Sequence, residues 1–107
     1  MLSKTRTGLL LDYYGELLTV HQRQIMRLYT DDDLSFAEVA VEAGVTRQAV
    51  ADIVLRASKK LEETEEKLGL VAKIKNAEAY LDGIITEARD ADEKKRLLAL
   101  KELLRTI

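Results

Sequence analysis

A chain of 107 residues, 47% apolar and 34% charged, has the length and composition of one helical domain, or one small domain with an extension. It has no cysteine, which excludes disulfides, thiol catalysis and thiolate metal sites; it has no proline, so helices can run long and must be ended by caps and glycines. The net charge of −2 excludes the broadly basic surface of a dedicated nucleic-acid binder, so any DNA contact has to come from a local patch. With one Phe and four Tyr, the core is expected to consist mostly of Leu, Val, Ile and Ala. The longest apolar runs are too short to span a bilayer, and residues 1–11 lack the apolar stretch of a secretory signal. A cytoplasmic protein without a membrane partner is the expectation.

Ser3 is placed to cap a first helix running to about Leu18, with Leu9, Leu10, Tyr13, Tyr14 and Leu17 on its apolar face; Gly8 and Gly15 weaken it locally. Thr19 starts a second helix, with Gln22 in the capping-box position and Ile25, Met26, Leu28 and Tyr29 on the buried side. Residues 30–34 read as a polar, aspartate-rich turn.

The next stretch, SFAEVAVEAGVTRQAVADIVLR at 35–56, holds two short amphipathic patterns broken by Gly44. Ser35 and Glu38 form a capping box for the first pattern, whose apolar side is Val39, Ala40 and Ala43. Thr46 caps the second, whose apolar side is Val50, Ile53 and Val54. Ala40 allows a close crossing, Gly44 permits a left-handed turn, and Val45 plugs the angle between the helices. This is the spacing of a helix-turn-helix unit, whose second helix can lie in the major groove.

From Arg47 the helical pattern continues through Lys67, with Val50, Val54, Ala57, Leu61 and Leu68 on one stripe and a favourable Glu63–Lys67 pair on the surface; Gly69 is the natural stop. A helix from Leu70 to Ala88 carries a seam of Leu70, Ile74, Ala77, Leu81, Ile84 and Ala88, with Gly83 beside it. Asp90 and Glu93 make a capping box for a last helix to about Thr106, with Leu97, Leu98, Leu100, Leu103, Leu104 and Ile107 as its apolar face. The expected fold is all-α: a wingless helix-turn-helix domain at 1–68, followed by a helical hairpin at 69–107 that packs on the same domain or on a second copy.

Catalytic chemistry has little support. His21 is the sole histidine and reads as a surface residue near a cap; the serines have no histidine near them in sequence, and no phosphate-binding glycine loop occurs. Asp31, Asp32 and Asp33 lack the alternating ligands of a calcium loop and read as a solvated turn. No enzyme activity and no cofactor or metal is expected.

The candidate DNA-binding residues are Thr46, Arg47, Gln48, Arg56, Lys59 and Lys60. Arg47 and Gln48 fall in the first turn of the second helix, where base edges are met; Arg can read guanine and Gln adenine. Arg56, Lys59 and Lys60 suit phosphates, and Lys4, Arg6, Arg23 and Arg27 are candidates for further backbone contacts, against the plain alternative of solubilising charges. Asp52 would repel phosphate unless paired with Arg56 one turn on. The run Ile53-Val54-Leu55 is more apolar than one buried face requires, so part of this helix is expected to be covered, by the C-terminal hairpin or by a partner subunit.

The segments LDYYGELLT at 11–19, QRQIMRLYTDDDLSFAEVA at 22–40, GVTRQAV at 44–50 and KLEETEEKLGL at 60–70 together resemble the YlxM family of small bacterial helix-turn-helix proteins. The helix-turn-helix part alone is also similar to region 4 of bacterial sigma factors. The likeness covers residues 9–70 and departs where members often carry an aromatic residue and an asparagine; this chain has Ala51 and Ile53 there. It implies a dimeric, non-catalytic DNA-binding regulator or accessory factor of the signal recognition particle pathway, with Arg47 and Gln48 at the start of the recognition helix. The alternative is a protein-interaction module that binds the particle's protein or RNA, or itself. A small-molecule-sensing regulator is a third option for which no ligand pocket is specified.

Overall fold

The computed structural model of the protein describes residues 3–106 and contains six α-helices, with no strand among those residues. They are α1 (Lys4–Tyr14), α2 (Val20–Thr30), α3 (Phe36–Ala43), α4 (Arg47–Leu68), α5 (Leu70–Glu87) and α6 (Ala91–Arg105). The chain divides into two compact units, Met1–Leu68 and Gly69–Ile107.

In the first unit the caps do what their side-chain chemistry allows. Ser3 accepts from the Arg6 amide, Thr19 and Gln22 close a reciprocal box, and so do Ser35 and Glu38. Thr46 Oγ1 accepts from the Ala49 amide at 3.0 Å. Each such cap satisfies amides that the helix leaves without an internal partner, and contributes about 1 kcal/mol. The first helix is shorter than its apolar pattern suggests. It stops at Tyr14 and tightens into a 3-10 turn, Gly15–Leu17, that leaves Leu17 half-exposed. The Arg23 guanidinium donates to the Gly15 carbonyl at 3.1 Å, a contact from α2 back to the turn before it.

The core is formed by Leu10, Leu11 and Tyr14 of α1, Leu18, Ile25 and Met26 of α2 and its approach, Val39 of α3, and Val50, Val54, Ala57 and Leu61 of α4. Burying each large aliphatic chain here is worth about 1.5–3 kcal/mol. Residues 50, 54, 57 and 61 step by four and three, so α4 lays one continuous stripe against α1, α2 and α3. The stripe then departs from expectation: its next member is Glu65, buried and hydrogen-bonded by the Tyr14 hydroxyl, whereas Leu68 is half-exposed. Arg6 reinforces the same junction with a fork onto Glu62, Nε to Oε1 at 3.0 Å, which raises the guanidinium pKa through the hydrogen bond. The Glu63–Lys67 pair is replaced by a long Lys59–Glu63 contact at 4.0 Å.

Gly44 ends α3 in the left-handed region, at φ 68°, and the Gly44 and Val45 amides both donate to the Ala40 carbonyl. This turn swings the chain from α3 into α4. A Cβ at Gly44 would meet no atom within 4 Å, so the cost of Gly44→Ala is backbone strain alone. That variant is expected to lose about 1 kcal/mol in a denaturant titration. Glu38 is held below its ordinary carboxylate pKa by the hydrogen bond from the Ser35 amide and then by that from the Ser35 side chain. Its stabilising contribution is therefore present above the unfolded-state pKa and lost as pH falls through the lower folded value. Glu38→Gln keeps a capping acceptor, and its acid unfolding profile should be less steep in that window.

In the second unit α5 buries Val71, Ile74 and Leu81, while Ile84 of the predicted seam is 47% exposed. The α5–α6 hairpin is pinned by Lys101 Nζ to Asp82 Oδ1 at 2.6 Å. The capping box predicted for α6 does not form: Asp90 accepts from the Asp92 amide, a tighter Asx-type turn, and not from Glu93. α6 has no buried residue, and Leu98, Leu100 and Leu103 are 46–64% exposed. Ile107, predicted on that face, lies outside the described residues.

Candidate nucleic-acid interface

α4 has one side committed to the core, and its opposite side is the only one free to meet a ligand. Successive helical residues turn by about 100°. With Val50, Val54, Ala57 and Leu61 inward, the outward line runs Gln48, Asp52, Leu55 and Lys59, flanked by Ala51 and Arg56. Arg47, Gln48, Asp52, Leu55, Arg56 and Lys59 are all exposed. Of the apolar run at 53–55 only Val54 is buried; Ile53 is intermediate and Leu55 is 67% exposed.

The charges on α4 are segregated. Residues 47–60 carry Arg47, Arg56, Lys59 and Lys60 against Asp52, whereas residues 61–68 carry Glu62, Glu63, Glu65 and Glu66 against Lys67. A polyanion can approach only the first half, because the glutamate-rich end would repel its phosphates.

Among the described residues, Arg47, Asp52 and Arg56 make no ion pair, so the expected Asp52–Arg56 neutralisation is absent. Thr46 is occupied as a helix cap, although its residue is exposed. Lys60 is not an open phosphate ligand: its ammonium donates to the Leu17 carbonyl at 3.0 Å and ties α4 to the 3-10 turn. Lys59 is 75% exposed and only loosely held by Glu63.

The four accessory cations proposed from sequence are all engaged. Lys4 pairs with Asp33 at 2.9 Å, donates to the Leu34 carbonyl and sits 4.4 Å above the Tyr29 ring. Arg6 grips Glu62, Arg23 grips the Gly15 carbonyl, and Arg27 binds Asp12 at 2.8 Å and Asp31 at 3.2 Å. The hydrogen bond to Asp12 raises the Arg27 pKa. The open cations of α4 ahead of its glutamate-rich end are thus Arg47, Arg56 and Lys59. The sequence could not show that Lys60, Lys4, Arg6 and Arg27 are engaged, because the partners Leu17, Asp33, Glu62 and Asp12 lie 15 to 56 residues away.

An open groove of about 680 Å³ runs along α2, lined by Val20, His21, Gln24, Leu28, Asp32 and Glu42 among others. Its two guanidiniums, Arg23 and Arg27, are those already committed, so it offers no ready anion site. No cluster of three or more His, Cys, Asp or Glu among the described residues could hold a metal ion.

The pairing of a capped α3, a left-handed Gly44 and an α4 with an outward amino-terminal face is a helix-turn-helix. Comparison with known proteins agrees: the profile of the UPF0122 family, "Putative helix-turn-helix protein, YlxM / p13 like", matches residues 1–101. The chain belongs to the UPF0122 family. A UPF0122 protein of Halalkalibacterium halodurans is 43% identical over 108 residues, covering 100% of this chain and 99% of the relative. One from Clostridium botulinum is 37% identical over 109 residues, covering all of both chains. One from Bacillus cereus is 44% identical over 100 residues, covering 90% of this chain and 91% of its own. Family membership therefore extends through α5 and most of α6, beyond the segment in which the sequence alone shows the likeness. No helix among the described residues is long and apolar enough to cross a membrane.

Proposed function

We propose that this UPF0122 protein is a non-enzymatic, cytoplasmic DNA-binding protein that acts as a regulator or accessory factor of the signal recognition particle pathway. The observation that carries the DNA reading is the exposed, unpaired Gln48 and Arg56 on the outward face of α4, with Arg47 open in its first turn, in a capped helix-turn-helix. The link to protein targeting rests on the resemblance to YlxM proteins. Polarisation of a labelled mixed-sequence duplex tests the binding. If Arg56 and Lys59 each neutralise one phosphate, raising salt from roughly 50 to 200 mM should weaken binding about 12-fold per protomer. Binding that ignores salt, or none at micromolar protein, would remove the DNA reading.

A second reading is favoured by charge: residues 1–68 hold nine Lys and Arg against twelve Asp and Glu, with Asp52 on the outward line. In it, the helix-turn-helix is a scaffold for binding the particle's protein or RNA. Saturable binding to the purified targeting GTPase, with none to duplex DNA, would select it. Both readings include a homodimer, supported by the exposed Leu98, Leu100 and Leu103 of α6. A two-helix layer needs a further apolar surface against it, and dimeric helix-turn-helix proteins read paired half-sites. Light scattering at tens of micromolar should give twice the chain mass.

A further inference from the structure

Resting on the DNA reading above, we propose that the outward face of α4 reads A·T pairs in the major groove. Leu55 and Ala51 seat on thymine methyl groups and Gln48 holds adenine. The starting point is the placement of Leu55. Leu10, Leu11, Leu18 and Leu61 are at most 4% exposed, yet Leu55, on the helix that carries the core stripe, is 67% exposed. A lone exposed leucine is unremarkable on most surfaces. This one lies on the line Gln48–Asp52–Leu55–Lys59, next to Arg56. A duplex whose phosphates are held by Arg56 and Lys59 lies with that line over its base edges.

The spacing suits the groove. Gln48 to Leu55 spans about 10 Å at the helical rise, which is about three base-pair steps. Gln can bind the adenine N6/N7 edge with two hydrogen bonds, and small apolar side chains pack on the thymine methyl. The same placement resolves the awkward position of Asp52. A carboxylate between two cations repels phosphate, but in the groove it accepts from the exocyclic amine of cytosine. A face built for phosphate alone would place cations, not Leu55 and Asp52, at its centre.

The test uses the full chain. Sites are enriched from a random-core duplex library, and their thymines are then replaced singly by deoxyuridine, which keeps the pairing and removes only the methyl. Recurrent A·T positions are expected, with a loss of about three- to fivefold in affinity for each contacted methyl. Leu55→Ala should bind the thymine duplex as weakly as the wild type binds the deoxyuridine duplex, and should no longer distinguish the two at one position. An unchanged thermal melt of Leu55→Ala is the control for folding. Enriched sites lacking recurrent A·T pairs, or equal affinity for thymine and deoxyuridine throughout, would overturn the inference while leaving DNA binding intact. Failure to retain any duplex would overturn both.

Discussion

Leu61→Ala is expected to lower the unfolding free energy by about 3 kcal/mol, within the range of roughly 2–5 found for buried leucine truncations. Leu61 is 0% exposed at the centre of α4, the helix on which α1, α2 and α3 all pack. Little of the cavity can collapse, because α4 packs against three helices and cannot shift to fill it without disturbing them. For a unit of this size the apparent melting temperature should fall by more than about 10 °C, followed by circular dichroism at 222 nm. The comparison with Leu55→Ala is the informative one. It is the same substitution six residues earlier on the same helix, at a residue 67% exposed, and should change stability by no more than about 0.5 kcal/mol. A similar loss in both would mean that α4 presents a different side to the core.

The second large effect concerns binding. Arg47→Ala combined with Gln48→Ala should weaken binding to an enriched duplex by about 1–3 kcal/mol per lost base contact, and should flatten the preference for that duplex over others. Arg56→Ala should act differently, lowering affinity for all sequences alike and reducing the salt exponent by about 0.9. Lys4→Ala and Arg27→Ala are the controls that separate an interface from a basic composition. Their side chains are spent on Asp33, and on Asp12 and Asp31. Those exposed pairs are worth at most about 1 kcal/mol of stability. Losing them should leave the affinity for DNA nearly unchanged. Wild-type binding in the Arg47→Ala, Gln48→Ala double variant would reject the assignment of those two residues.

The contrast between Arg47 and Lys60 shows where sequence reading reaches and where it stops. Both are exposed cations on α4, and neither has a local partner that announces its fate. Arg47 is left open, whereas the Lys60 ammonium is 3.0 Å from a carbonyl 43 residues earlier. Arg6 and Glu62 are separated by 56 residues, so a residue that reads as a phosphate contact serves as a brace. Tyr14 and Glu65 repeat the point in the core. The stripe on α4 suggests an apolar residue there, and the fold installs a carboxylate because a hydroxyl from α1 arrives to satisfy it.

What the sequence determined by itself is what depends on neighbours within one or two helical turns. Thr19 with Gln22, Ser35 with Glu38, Thr46 with the Ala49 amide, and the positive-φ glycines at 44 and 69 are all local chemistry. The four- and three-residue steps from Val50 to Leu61 follow from the helical period alone. These features were sufficient to specify an all-α helix-turn-helix protein. Only the tertiary structure decided which cations remain open, where α1 gives way to a 3-10 turn, and which leucines stay in solvent. Those outcomes depend on groups brought together from distant positions, and the hydrogen bond, ion pair or desolvation that settles each one exists only once α1, α2 and α4 are packed.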